Sequence, residues 1–138
     1  MAVRPEPRAP IARPGYAEFA VADAGRLAFV AGQCPLDDEG RVVAEGDVGE
    51  QTTHVAARLR HRLGELGVGP DAVVRTTVYV VGDQDALAAA WRAFRASGST
   101  GDPMAPSTLL GVTRLGHPGQ LVEIDAVVAL AGPRTPGG

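Results

Sequence analysis

The chain has 138 residues, of which 45% are hydrophobic and 4% aromatic, so we expect one domain with an aliphatic core. Its formal net charge is −3, whereas a nucleic-acid-binding surface usually shows a basic surplus. All 13 basic residues are arginine, which excludes Schiff-base, pyridoxal-phosphate and Walker-type phosphate sites because each depends on a lysine.

Predictions of cellular location and metal binding rest on the cysteine and the histidines. Cys34 is the only cysteine, so no intrachain disulfide can form, which suits a reducing cytoplasm. His54 and His61 are seven residues apart on a predicted helix, a spacing more typical of packed or solvated histidines than of a metal site. No apolar run approaches the roughly 18 residues that span a bilayer, and the amino terminus lacks a signal-peptide core. We therefore expect a cytoplasmic protein with no metal and no membrane contact.

The ends of the chain are rich in proline or glycine, which predicts flexible segments at 1–14 and 132–138 around a folded domain at 15–131. The domain opens with two strand-like stretches, Tyr16–Ala22 and Arg26–Ala31, which a short glycine-containing turn joins as a hairpin. The second stretch is apolar throughout, as in a strand that is buried on both faces.

Two helices follow a short edge strand that we predict at 41–44. Asp47 and Glu50 form a capping box for the first helix, and Gly67 is placed to end it. Its apolar stripe consists of Val55, Leu59, Leu63 and Leu66. Asp83 caps the second helix, whose apolar side carries Leu87, Ala90, Trp91 and Phe94. The remaining predicted strands are Asp71–Val81, Ser107–Arg114 and Leu121–Leu130.

The predicted order of elements is β-β-(β)-α-β-α-β-β, which is an α+β arrangement. Since right-handed crossovers place successive helices on one side, both helices should cover one face of a mixed sheet. The other face would then expose apolar side chains, and a second copy of the chain is the simplest cover for them. The order of elements therefore predicts an oligomer.

The last predicted strand carries two carboxylates, Glu123 and Asp125, on the face opposite its apolar residues. If an oligomer partly buries that face, either carboxylate can act as an acid or base, although carboxylates are more commonly solvated. Ser107 and Thr108 follow a loop, where hydroxyls either hold a substrate or, more commonly, satisfy nearby backbone groups. Cys34 stands at a strand end, where a nucleophile could be displayed, but a lone cysteine is more often a buried structural thiol.

Four segments together resemble the RidA (YjgF-like) family in order and approximate spacing: LAFVAGQCPLDDEGRVV, GDVGEQTTHVAARLRHRLGELG, DAVVRTTVYVVGDQDALAAAWRAF and STLLGVTRLGHPGQLVEIDAVV. The combination of G-Q-x-P, an E-Q-T helix start and a V-E-I-D strand is specific, whereas each motif alone is weak. The resemblance implies a chorismate-mutase-like homotrimer with an inner β-barrel, outer helices and a ligand cleft at each of three subunit interfaces. It also implies cofactor-independent hydrolysis of reactive imines and enamines to ammonia and a 2-keto acid.

The resemblance also assigns residues to the cleft. Glu123 matches a glutamate thought to position water, and Tyr16 matches an early cleft tyrosine. Ser107 falls where the family has an arginine that clamps the substrate carboxylate, and Ala88 falls where an asparagine is frequent, a pattern similar to the subgroups that lack the arginine. A neutral serine cannot replace that charged contact. Either the substrate is less acidic, or another arginine enters the cleft, for which the candidates are Arg26, Arg75 and Arg114.

The expected site thus has Glu123 as its catalytic residue, with Tyr16, Gly32, Cys34, Ser107 and Thr108 binding the substrate. The leading hypothesis is an imine or enamine deaminase. One alternative is a divergent tailoring or degradative enzyme on the same scaffold, with Cys34 as nucleophile. Another is a non-catalytic trimer that binds a metabolite. The ribonuclease activity attached to some relatives fits poorly with the acidic charge and the few aromatic residues.

Overall fold

The computed structural model describes residues 16–23 and 25–132. The segments predicted to be flexible, 1–14 and most of 132–138, lie outside the described residues. Within the described part, no helix is both long enough and apolar enough to cross a membrane.

Four strands form one mixed sheet in the order β1-β4-β2-β3. The antiparallel pairs are β1 with β4 and β4 with β2, whereas β2 and β3 are parallel. The strands are β1 (Arg26–Gln33), β2 (Val73–Val80), β3 (Ser107–Gly111) and β4 (Val122–Leu130). A short 3-10 turn at Pro70–Ala72 leads into β2.

The two helices are α1 (Val48–Glu65) and α2 (Gln84–Ser97). Both begin, and α1 also ends, where the predicted caps place them. Asp47 and Asp83 each accept a hydrogen bond from the backbone N–H three residues on, at 3.0 and 2.9 Å. Gly67 follows α1 with φ +75°, a left-handed conformation that glycine adopts without a steric penalty. Local sequence signals therefore define both helices.

The helices pack together on one face of the sheet, and the core lies between the two layers. The predicted apolar face of β4 is confirmed, because Val122, Ile124 and Val128 are fully buried under the helices. The helices contribute to this core mainly Val55, Leu59, Leu63, Ala90, Trp91 and Phe94. Leu66, predicted on the α1 stripe, is instead 37% exposed, because it caps the helix beyond the last buried turn.

Two predicted strands are wrong. The Tyr16–Ala22 segment makes isolated bridges rather than a strand, with Tyr16 pairing to Met104 beside β3. The 41–44 segment likewise contributes only a bridge from Val42 to Leu36. In both cases the chain forms only isolated bridges, so the pairing does not continue into the ladder of hydrogen bonds that defines a strand.

The prediction that the first full strand is buried on both faces is also wrong for the single chain. β1 is an edge strand, and the helices cover only one of its faces. On the other face Phe29 is 77% exposed and Leu27 47% exposed. This uncovered face, which we call the bare face, continues across the sheet through alternate residues of the other strands and carries the two β4 carboxylates.

Candidate functional site

Glu123 lies on the bare face of β4, where two donors hold one oxygen of its carboxylate. Oε1 of Glu123 accepts from Nε2 of Gln120 at 3.2 Å and from the Cys34 thiol at 3.3 Å. Gln120 is itself held, because it also donates to the carbonyl of Val122 and accepts from the backbone N–H of His117. The carboxylate therefore has a fixed orientation, with Oε1 occupied by protein donors.

The other oxygen, Oε2, lies against Gly32 in β1. A Cβ atom added at Gly32 would stand 2.1 Å from Oε2 of Glu123, far closer than atoms can approach. The space that a side chain would take at this position is therefore filled by the carboxylate. Glycine is required here by the close approach of Glu123, and the local break in β1–β4 register between Val30 and Gln33 accompanies it.

The thiol of Cys34 is held in its protonated form. Partial burial raises the pKa of Cys34, and the hydrogen bond to Glu123 and the negative charge of that carboxylate raise it further. Gln120 and Arg58 act in the opposite direction but do not reverse the shift. A thiol is a poor nucleophile compared with a thiolate, so Cys34 serves Glu123 as a hydrogen-bond donor.

Asp125, the second carboxylate of the bare face, is differently engaged. Its Oδ2 accepts a hydrogen bond from the hydroxyl of Tyr79 at 2.9 Å. That hydrogen bond, with burial and the Asp125 charge, raises the pKa of Tyr79. Of the two predicted carboxylates, Glu123 is the one that stands beside the other predicted site residues.

A separate cleft of about 650 Å³ lies at the β3 edge of the sheet. Tyr16, Ser107 and Thr108 all line it, as predicted for substrate-binding residues. Tyr16 stands edge-on to Trp91, with ring centroids 5.7 Å apart and planes at 88°. The rest of the lining consists of Gln84, Leu87, Ala88, Trp91 and Leu109.

The structure thus divides the six predicted residues into two groups within one chain. Gly32, Cys34 and Glu123 form the first, which we call the carboxylate cluster, together with Gln120. Tyr16, Ser107 and Thr108 belong to the second, the β3-edge cleft. The sequence pattern did not point to Gln120, and it placed Trp91 in the core without its second role as a cleft wall.

The two histidines of α1 have separate surroundings, one partly buried and one exposed. Nε2 of His54 lies 2.7 Å from the carbonyl oxygen of Leu36, so His54 fastens the loop after β1 to α1. His61 is exposed and lies 3.9 Å from Glu65 one turn further along α1. Among residues 16–23 and 25–132, no group of three or more histidine, cysteine, aspartate or glutamate side chains could hold a metal ion.

The family model for Endoribonuclease L-PSP matches residues 6–130, nearly the whole chain. The chain belongs to this family. Its members include the YjgF-like proteins to which the sequence motifs pointed. Protein DfrA of Myxococcus xanthus is 33% identical over 122 residues, which cover 87% of this chain and 88% of DfrA. A RutC family protein of Pyrococcus abyssi is 41% identical over 56 residues, covering 41% of this chain and 44% of that protein.

Solved structures of similar proteins share the fold. YyfB of Yersinia pestis, described as a Rid family protein of unknown function, is 30% identical with a TM-score of 0.76, over 94% of this chain and 98% of YyfB. E. coli TdcF, solved with bound serine, has a TM-score of 0.68 over 93% of this chain and 98% of TdcF. At 21% identity the TdcF match concerns the fold alone.

Proposed function

We propose that this L-PSP family protein hydrolyses a small imine or enamine, releasing ammonia, in clefts between the subunits of a homotrimer. The observation that carries the proposal is the arrangement of the Glu123 carboxylate. Two neutral donors orient Oε1, which leaves Oε2 on the bare face as the oxygen able to accept a proton. A fixed, hydrogen-bonded carboxylate of this kind is suited to general base catalysis.

The reaction needs only water and a proton carrier. Oε2 of Glu123 accepts a proton from a water molecule as the water oxygen attacks the imine carbon. Glu123 then returns that proton to the nitrogen, which gives a carbinolamine. In a second transfer the carboxylate takes the proton of the carbinolamine hydroxyl and passes it to the nitrogen as the carbon–nitrogen bond breaks, so that ammonia leaves and a carbonyl product remains. An enamine first takes a proton at carbon and enters the same sequence as an imine. No step requires a cofactor or a metal.

The trimer is proposed because one chain separates the two halves of the expected site. The β3-edge cleft lies on one edge strand, whereas Gly32 and Cys34 of the carboxylate cluster lie in or just after β1, the opposite edge strand. A copy docked on the bare face would cover the exposed Leu27 and Phe29 and could bring its carboxylate cluster to the cleft of its neighbour.

The structure favours this reaction over the alternative in which Cys34 is the nucleophile. The raised pKa of Cys34 leaves little thiolate at neutral pH, which nucleophilic attack would require. A non-catalytic metabolite-binding trimer is the remaining alternative. Cys34 is a free cysteine without a disulfide partner. This favours the cytoplasm as the place of action, because a reducing compartment keeps the thiol reduced.

The test follows ammonia release from 2-iminobutanoate or 2-aminoacrylate generated in situ. We expect the protein to accelerate release above the spontaneous rate and Glu123→Gln to lower the acceleration about 10²–10⁴-fold, the usual contribution of a general base. Glu65→Gln is the matched control, because it removes an exposed carboxylate on α1. Release at the spontaneous rate with wild-type protein would contradict the proposed activity. A Glu123→Gln variant as fast as wild type would contradict the role of Glu123.

A further inference from the structure

A fully buried glutamine, Gln51, lies in the first turn of α1 and binds the loop that precedes β4. Its Nε2 donates to the carbonyl of Gly119 at 3.0 Å, and its Oε1 accepts from the backbone N–H of Leu121 at 2.8 Å. Nε2 also donates to the carbonyl of Ala44 at 3.4 Å. Each polar atom of this buried side chain therefore has a backbone partner. Gln51 belongs to the E-Q-T helix start, a motif to which the proposed function assigns no role.

The loop partners of Gln51 are the two peptide groups that flank Gln120. The carbonyl of Gly119 belongs to the peptide bond before Gln120, and the N–H of Leu121 belongs to the peptide bond after it. Because each peptide group is planar, holding both of them fixes φ and ψ of the residue between them. The direction in which the Gln120 side chain leaves the backbone is therefore set by Gln51.

The amide of Gln120 has one orientation that satisfies its neighbours. Its Oε1 accepts from the N–H of His117 at 3.2 Å, and its Nε2 donates to the carbonyl of Val122 at 3.1 Å. A flipped amide would lose both bonds, because a backbone N–H can only donate and a carbonyl can only accept. Nε2 therefore faces Oε1 of Glu123, to which it donates at 3.2 Å. A chain of hydrogen bonds thus runs from α1 through the loop to the Glu123 carboxylate.

We propose that Gln51 is a positioning residue for Glu123 and acts from α1 through Gln120. The inference rests on the role of Glu123 in the proposed function and extends its support to a helix of the core. A carboxylate that acts as a base depends on a supported orientation, and a packed helix is a rigid support. The alternative is that Gln51 only satisfies the backbone groups of a buried loop.

The first measurement is ammonia release by Gln51→Met, which nearly keeps the size of the side chain but removes its bonds to the loop. We expect kcat to fall about 10- to 100-fold, the factor for one hydrogen bond to a charged group. KM should change less than about twofold, because Gln51 is fully buried and cannot touch the substrate. Gln120→Met should give a similar loss, and the double variant should lose no more than Gln120→Met alone, because both substitutions break the same chain of contacts.

Thr52→Val is the matched control for Gln51→Met. Thr52 is also fully buried, and its hydroxyl donates to the carbonyl of Val48 within α1 at 2.7 Å. The substitution therefore removes a buried hydrogen bond from the same turn without removing a bond to the loop. We expect wild-type kcat and KM for this variant.

The second measurement is the pH midpoint of the reaction of Cys34 with iodoacetamide, which does not depend on turnover. Partial burial is the largest cause that raises the pKa of Cys34, whereas a hydrogen bond with Gln120 lowers it. Displacement of Gln120 in Gln51→Met should therefore move the midpoint to higher pH. A general loosening of the fold would instead expose the thiol and move the midpoint to lower pH. Thr52→Val should keep the wild-type midpoint.

Gln51→Asn is the second variant in case circular dichroism shows that Gln51→Met does not fold. Its amide is one methylene shorter and cannot span both peptide groups, so the Cys34 midpoint should again rise. A folded Gln51 variant whose midpoint stays or falls, or a double variant whose losses multiply, would overturn the role of Gln51. Wild-type protein that releases ammonia only at the spontaneous rate would refute the proposed reaction, and the Cys34 midpoints would still decide whether Gln51 holds Gln120 in place.

Discussion

At the scale of single residues, the position of Glu123 depends on the absence of a side chain at Gly32. Glu123 and Cys34 could be named as candidate site residues from the sequence, because a strand pattern and a strand end are local features. Gln120 could not, since its hydrogen bond to Glu123 depends on how the loop before β4 folds back. Nor could the sequence rank three arginines whose distances from the cleft depend on sheet order.

The role of Gly32 leads to a prediction about Gly32→Ala. The new methyl group should displace the Glu123 carboxylate from Cys34 and Gln120, because its Cβ would stand 2.1 Å from Oε2. Ammonia release should fall by about 10²-fold or more, while the free energy of unfolding falls by less than about 3 kcal/mol because the obstructing group is a movable side-chain end. Urea unfolding and the ammonia assay measure the two effects.

Gly64→Ala is the control for this substitution. Gly64 lies inside α1, and an added Cβ meets nothing within 4 Å. Alanine should therefore stabilise the protein by about 0.5–1 kcal/mol through helix propensity, with activity unchanged. Equal activity of Gly32→Ala and Gly64→Ala would show that the contact between Gly32 and Glu123 does not contribute to activity.

The protonated state of Cys34 is tested by the pH dependence of its reaction with iodoacetamide. Burial and the Glu123 carboxylate both disfavour the thiolate, so the rate should reach half its maximum above the pKa of about 8.5 of a free cysteine. Glu123→Gln removes the negative charge and should move this midpoint to lower pH. Mass spectrometry of the alkylated fraction gives the rates. A midpoint near neutral pH would restore Cys34 as a candidate nucleophile.

At the scale of elements, the helices could be predicted and part of the sheet could not. Both helices follow from caps and a 3.6-residue period, which are encoded within one segment. The Tyr16–Ala22 segment shows the limit of this approach. Whether it forms a strand depends on its pairing partner near Met104, which is far along the chain. Exposure of β1 likewise follows from its place at the sheet edge, which its own apolar sequence does not reveal.

The apolar stripe of α1 predicts different costs for two leucines. Leu59 is fully buried against the core, whereas Leu66 is 37% exposed beyond the last buried turn. Leu59→Ala should therefore cost about 2–5 kcal/mol of unfolding free energy, the range for a buried leucine. Leu66→Ala should cost less than about 1.5 kcal/mol, because this substitution removes less buried apolar surface. Urea unfolding at one fixed protein concentration measures both free energies. Similar costs for the two substitutions would contradict the finding that the buried stripe of α1 ends before Leu66.

At the scale of the whole molecule, the helices cover only one face of the sheet, and the apolar edge of the other face is uncovered in the single chain. Phe29 is 77% exposed in one chain and would be covered by another chain in the assembly. Phe29→Glu should therefore disrupt assembly, because it would bury a charge in that contact. Size-exclusion chromatography should show a smaller particle with intact helical circular dichroism. The control is Ala57→Glu, on the exposed side of α1, which should leave the particle size unchanged.

The central claim is that copies of this chain join through the bare face so that the carboxylate cluster of one meets the β3-edge cleft of another. Sedimentation equilibrium of the wild-type protein tests it most directly. We expect a single species with three times the 14.2 kDa mass of the chain, stable to dilution into the low micromolar range. A particle of 14.2 kDa at those concentrations would contradict it, because Leu27 and Phe29 would then stay in water and the two halves of the site would stay apart.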